Sequence, residues 1–244
     1  MNKNSNTYQI LYAAVMVLLV GTFLAFIYMI LKPKQDENIA NDKRMQILSA
    51  INVNSEPESL KDDFARYIVA EYIVNEQGEI VDSAANVAFS IDMKSNVKLQ
   101  QRKLPVFMCR LDDGAVKYVL PVYGAGLWGP IWGYISVDSD AATIFGTSFS
   151  HESETPGLGA RITEDLFQQQ FIGKQIVKDG AFTSIEVVKR GQKSLSGADY
   201  VDAISGATIT SRGVGAMLDD CLKYYEPFLK KIADSNQTLT VEEN

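Results

Sequence analysis

From Ile10 to Leu31 the sequence carries no charged side chain. The run reads Ile-Leu-Tyr-Ala-Ala-Val-Met-Val-Leu-Leu-Val-Gly-Thr-Phe-Leu-Ala-Phe-Ile-Tyr-Met-Ile-Leu. About 20 such residues, coiled as a helix, cross the hydrocarbon core of a bilayer. A cleaved signal peptide has a shorter apolar region followed by an Ala-x-Ala-like site, and neither is present. The run is therefore an anchor, with Tyr8, Tyr12 and Tyr28 placed for the interfaces. Gly21 and Ala25 form a small-xxx-small pair, too common a pattern to carry an argument. Lys3 precedes the span, whereas Lys32, Lys34, Lys43 and Arg44 follow it. By the positive-inside rule the remainder of the chain stays in the cytoplasm.

That remainder has the length of one domain of ordinary size. The formal net charge of -7 argues against a nucleic-acid partner, which needs a basic face. The 2 cysteines, Cys109 and Cys221, lie far apart without a Cys-x-x-Cys, which fits neither a cluster nor a disulfide framework. Cys221 falls on an apolar stripe and reads as a buried thiol. The single histidine, His151, has no nucleophile elbow to serve. His151 and Glu152 are neighbours on a strand and point to opposite faces, so they make a poor acid–base pair. No catalytic residue and no metal ligand is assigned.

Pro33 and the charged stretch from Lys34 to Arg44 read as a juxtamembrane link, with a helix resuming toward Leu48. Helical spacing returns at Leu60, Phe64 and Tyr67. Tyr72–Val74 and Ile80–Val81 flank Asn75-Glu-Gln-Gly78, a hairpin signal. Residues 86–96 have weak strand character. Pro105–Leu111 and Val116–Val122 flank Asp112-Asp-Gly114, a stronger hairpin. Ile131–Val137, Ala142–Phe149 and Ile185–Lys189 read as further strands. Glu164–Phe171 reads as a short helix with Thr163 as its N-cap. A last helix starts at Thr210 or Ser211, with Val214, Met217, Leu218, Cys221, Leu222 and Tyr225 on one face. Strands in succession with helices around them give an α+β class. The divisions are an anchor over 1–34, a linker over 35–58, a domain over 59–230 and a polar tail over 231–244.

Three stretches are chemically pointed. Gly126-Leu-Trp-Gly129 sits between two strands, with Trp132 close behind, and offers apolar surface for a planar ligand. Glu154-Thr-Pro-Gly-Leu-Gly159 pairs a hydroxyl and a stiff proline with two glycines that leave Leu158 free to project. Asp202-Ala-Ile-Ser-Gly-Ala-Thr208 places a threonine hydroxyl just ahead of a helix N-terminus, where unpaired N–H groups favour a phosphate. On local physics alone each also fits a plain loop: tryptophans plugging a core, a polar surface turn, a capped helix start.

The last stretch resembles the acceptor motif of the FMN-binding domain family. In that family the threonine hydroxyl forms a phosphodiester with FMN, installed by a flavin transferase that takes the FMN moiety from FAD. The resemblance implies that Thr208 is the attachment residue and that Asp202, Ser205, Gly206 and Ala207 are its recognition sequence. Taken together, the three stretches resemble the motif set of the C-subunit family of Na+-translocating NADH:quinone oxidoreductases. The G-subunit family of the Rnf electron-transfer complex shares Thr-Pro-Gly-Leu-Gly and Ser-Gly-Ala-Thr. The Gly-Leu-Trp-Gly stretch with its second tryptophan is more similar to the quinone reductase family.

That resemblance spans essentially the whole chain. It implies one membrane helix followed by one FMN-binding domain of antiparallel strands with flanking helices. It implies Leu127, Trp128, Thr155, Pro156, Gly157 and Leu158 against one covalent FMN. The chain would relay electrons among other membrane subunits of a redox-driven sodium pump of the bacterial inner membrane. By resemblance the large domain lies on the periplasmic face, against the charge rule, and the family's orientation is the one expected. Electron passage needs no acid–base pair, and no Gly-x-Gly-x-x-Gly marks a site for NADH. A reading from a different class is a membrane-tethered module whose Gly/Trp loops grip a peptide or carbohydrate.

Overall fold

The computed structural model describes residues 5–242. Lys3, which enters the charge balance around the span, and the last two residues of the tail lie outside them. The chain divides into two compact units, residues 1–43 and 44–244. The first unit is carried by α1 (Asn6–Ala50), whose apolar window has a mean hydropathy of 2.6 and no buried residue. The helix is long and apolar enough to cross a membrane.

The charged stretch read as a link is helix. It continues through Pro33 to Ala50, with Lys32 and Asp36 paired at 2.8 Å one turn apart. Within the second unit, the last turns of α1 are core: Ile47, Leu48 and Ala50 are fully buried. After α2 (Leu60–Tyr67) come β1 (Ile68–Val74) and β2 (Ile80–Asp82), then a single helical turn α3 (Met93–Asn96). That turn replaces the weak strand expected over 86–96. The Asp92 carboxylate accepts the Lys94 N–H and the Ser95 hydroxyl, which favours a helix start over an extended chain.

β3 (Leu104–Arg110), β4 (Val116–Ala125), β5 (Pro130–Val137) and β6 (Ile144–His151) complete a six-stranded sheet of order β2-β1-β3-β4-β5-β6. Every neighbouring pair in it is antiparallel. The strands alternate sides with period two. Val106, Leu120 and Ile135 belong to one core layer, and their neighbours Phe107, Val119 and Tyr134 to the other. With both faces covered, central strands bury nearly every residue, as β4 does from Lys117 to Val122.

A 3₁₀ turn (Gly159–Thr163) and α4 (Asp165–Gln168) follow. Thr163 is not an N-cap. It ends the 3₁₀ turn with its hydroxyl on the Ala160 carbonyl, and Glu164 takes the cap position. The hairpin of β7 (Val177–Lys178) and β8 (Ala181–Phe182) leads to β9 (Ile185–Val188). β9 pairs in parallel with β10 (Asp199–Asp202), a strand with no signal in the sequence.

α5 (Thr208–Leu222) then packs on the sheet, followed by α6 (Glu226–Glu242). Val214, Met217, Leu218, Cys221, Leu222 and Tyr225 are all buried, as their spacing predicted. Each such Leu or Val is worth roughly 1.5–3 kcal/mol. The stretch read as a polar tail is helical as far as Glu242.

Candidate functional site

α5 lies across β4 at very short range. A Cβ on Gly213 would overlap the carbonyl oxygen of Ala125, and one on Gly124 would lie 2.7 Å from Cβ of Met217. This approach sets the start of α5 beside the β4–β5 turn. The helix begins earlier than expected, at Thr208 itself. Gly206, at φ +79°, and Ala207 close the turn, so the next residue is already helical. Ser211, expected near the helix start, reaches back and accepts the Ile204 N–H at 3.0 Å.

The cap residue decides what this helix end can do. Ala207 has no side-chain acceptor and makes no capping hydrogen bond. The first N–H groups of a helix lack partners within it, and at a Ser or Asp cap one would be satisfied locally. Here they are left for a ligand, and helix polarity makes an anion the favoured one. The Thr208 side chain is exposed and its hydroxyl has no partner among the described residues.

The other two stretches converge on this helix end through one carboxylate. Glu154 is only 4% exposed. Its Oε1 accepts the Trp128 N–H at 2.8 Å and its Oε2 accepts the Thr210 hydroxyl at 2.6 Å. Burial pushes this carboxyl upward, but the hydrogen bonds from the Thr210 hydroxyl and from backbone N–H, that of Trp128 first, outweigh it and hold it below the usual carboxylate range. The Ser153 hydroxyl adds a bond to the Trp128 carbonyl at 3.1 Å. A Cβ on Gly206 would touch the Leu158 side chain at 3.0 Å, which sets Leu158 against the Ser-Gly-Ala turn.

The surface around Thr208 is apolar and open. Leu127 is 46% exposed, Trp128 66%, Leu158 42% and Ile209 60%. Thr155, Pro156 and Gly157 form the exposed rim of the same loop, where the Leu158 N–H returns to the Thr155 carbonyl. Large apolar side chains held outward beside an uncapped helix end match a ligand with a planar ring at one end and an anion at the other. FMN has that shape, and the residues present fit it. The His151 Nδ1 accepts the Glu154 N–H at 3.2 Å and so helps to fix the backbone of the same loop.

Not every residue singled out in the sequence meets here. Asp202 and Ser205 line a neighbouring groove of ≈ 300 Å³ with Arg161, Gln170 and Arg190, and none of Leu127, Trp128, Leu158 or Thr208 lines it. The Asp202 N–H is held by Gln170 Oε1 at 2.9 Å. Glu154, Thr210 and Ile209 belong to the site and were missed as individual residues. The one signal for Glu154 was an acid set among glycines and hydroxyls.

A family model of the FMN-binding domain matches residues 126–223, a span that holds all three stretches. The C subunit of the Na(+)-translocating NADH-quinone reductase of Vibrio anguillarum is 32% identical over 222 residues, covering 84% of this chain and 86% of that one. This chain belongs to that C-subunit family. The family's crystal structure from Parabacteroides distasonis is 48% identical, with a TM-score of 0.75 over 82% of this chain and 96% of the other. NqrC of Shewanella oneidensis is 30% identical, with a TM-score of 0.64 over 79% and 97%. The two solved structures thus share the α+β domain.

Proposed function

We propose that this chain is the membrane-anchored subunit that carries FMN and relays electrons inside a Na+-translocating NADH:quinone oxidoreductase. In this reading it works among the other membrane subunits of that complex, which couples NADH oxidation and quinone reduction to sodium export. The observation that carries the site is the helix end: an exposed threonine hydroxyl at the first residue of α5, behind an alanine cap, beside outward Leu127, Trp128 and Leu158. Thr208 holds one FMN as a phosphodiester. A flavin transferase forms the bond from Thr208 Oγ1 to the FMN phosphorus and breaks the diphosphate of FAD, so that AMP leaves and the hydroxyl proton is lost. Asp202, Ser205, Gly206 and Ala207 present the hydroxyl on a turn that another protein can reach.

The bound flavin supplies the redox chemistry. The chain's own residues bind, orient and shield. The first-turn N–H groups of α5 would hold the phosphodiester, a contact worth about 0.3–1 kcal/mol at an exposed helix end. Leu127, Trp128 and Leu158 keep water from the ring faces, and Thr155, Pro156 and Gly157 shape the rim. The tether keeps the ring at high effective concentration near these residues even when their contacts open. The large domain lies on the outer, periplasmic face of the membrane.

Denaturing electrophoresis under ultraviolet light tests attachment. The wild-type band should fluoresce and the Thr208→Ala band should be dark, and a fluorescent Ala band would overturn the assignment. A reporter active only in the periplasm, fused after Asn244, should be active. Activity of a cytoplasm-only reporter at that point, with a silent periplasmic one, would place the domain on the other side.

A further inference from the structure

We propose that Glu154 is a positioning residue: its buried carboxylate presets Leu127, Trp128, Leu158 and the start of α5 in the arrangement that the flavin meets. This role rests on the attachment of flavin at Thr208 and concerns what holds the receiving surface.

Three observations carry it. First, one side chain ties together segments remote in sequence. Trp128 lies in the β4–β5 turn, Glu154 in the loop after β6 and Thr210 in α5, and the bonds that join them are short at 2.8 and 2.6 Å. Second, space is reserved for it. A Cβ on Gly126 would overlap Glu154 Oε1, and one on Gly159 would overlap Oε2 and lie 2.7 Å from the Thr210 hydroxyl. Two glycines of the two flavin-facing loops are thus glycines because of this carboxylate. Third, Glu154 has no cationic partner within salt-bridge range among the described residues. A buried carboxylate without a counter-ion is costly unless several donors reach it.

The two bonds ask different things of the side chain. The Trp128 N–H can only donate and needs an oxygen, whereas the Thr210 hydroxyl can donate or accept. A glutamine therefore can keep both bonds, with its oxygen on Trp128 and its NH₂ on the Thr210 oxygen. Glu154→Met keeps the length of the side chain but removes both acceptors, which frees the β4–β5 turn from the helix end. The flexible Gly126–Gly129 segment cannot hold Trp128 outward by itself, because little else fixes it beyond the Gly126 N–H to Gly129 carbonyl bond and the Ser153 hydroxyl.

The test uses the full-length chain in detergent and has two arms. In the flavin-free Thr208→Ala background, amide hydrogen exchange is followed at Gly126 and Trp128, the hydrogen-bonded amides of the turn. Adding Glu154→Met should speed exchange there at least tenfold. In the otherwise wild-type, flavin-carrying chain, Glu154→Met should keep the flavin attached but lower its fluorescence anisotropy and shift its midpoint potential to more positive values. Thr210→Val should give the same changes in smaller size, and it carries both arms if Glu154→Met gives no cooperative melt. Unchanged exchange overturns the proposal, and so does faster exchange with unaltered anisotropy and potential. Flavin persisting on the Thr208→Ala chain would instead count against attachment at Thr208, and the exchange arm would still decide the role of Glu154.

Discussion

Thr208 and Thr210 sit two residues apart on the first turn of α5, and replacing each by valine should have opposite consequences. Valine keeps the branched shape and removes only the hydroxyl. Thr210 is 1% exposed and donates to Glu154 at 2.6 Å. A hydrogen bond to a charged group contributes about 1.5–3 kcal/mol, and its loss leaves a buried carboxylate short of one donor. At about 2–4 °C per kcal/mol for a domain of this size, Thr210→Val should lower the melting temperature by roughly 3–12 °C. Thr208 is exposed and its hydroxyl has no partner among the described residues, so Thr208→Val should change stability by no more than about 0.5 kcal/mol. Flavin content should divide the other way, with covalent flavin retained in Thr210→Val and lost in Thr208→Val. Thermal melts are compared in flavin-free chains, so that cofactor loss does not enter, and flavin is read by absorbance after denaturation. Equal melting temperatures for the two variants, or flavin lost from Thr210→Val alone, would refute the division of roles.

Gly213→Ala should destabilise by about 1–3 kcal/mol in a thermal melt, since the new methyl meets the Ala125 carbonyl and α5 must lift from β4. Trp128→Ala and Leu158→Ala should keep the flavin attached but raise its exposure to a soluble quencher, whereas wild-type quenching in both would make these loops structural only. Glu154 is held below the usual carboxylate range, so its stabilisation is complete above the unfolded value of about 4.3 and fades as pH falls through the lower folded value. Loop 126–129 should therefore loosen on acidification below about pH 4, beyond the intrinsic pH dependence of exchange, and this extra loosening should be absent in Glu154→Gln.

The elements most legible in the sequence were those with a strong period or a strong turn. The stripe from Val214 to Tyr225 was readable because one face of the helix had to be buried, and the β3–β4 hairpin because Asp112-Asp-Gly114 is a strong turn between two apolar runs. The helix from Lys34 to Ala50 was harder, since a charged stretch after Pro33 resembles a link. Its continuity rests on turn-to-turn pairs such as Lys32–Asp36, and its end on burial of Ile47 and Leu48 against a sheet far along the chain. β10 was invisible because Asp199-Tyr-Val-Asp202 has no apolar face of its own, and its parallel pairing with β9 is a tertiary fact. In the site, the exposed members lay in three glycine-rich stretches and were readable as such. Glu154 was not, because a carboxylate in a surface-like loop becomes a buried acceptor only once Gly126, Gly159 and Thr210 are brought around it.

Mass mapping of the flavin tests the central claim most directly. Trypsin should release Ser194–Arg212, which contains Ser205, Thr208 and Thr210, and fragmentation separates the three hydroxyls. The account predicts one FMN phosphodiester per chain, on Thr208 and nowhere else in the peptide. An adduct on Ser205 or Thr210, or an unmodified peptide from a chain purified in its active complex, would contradict it.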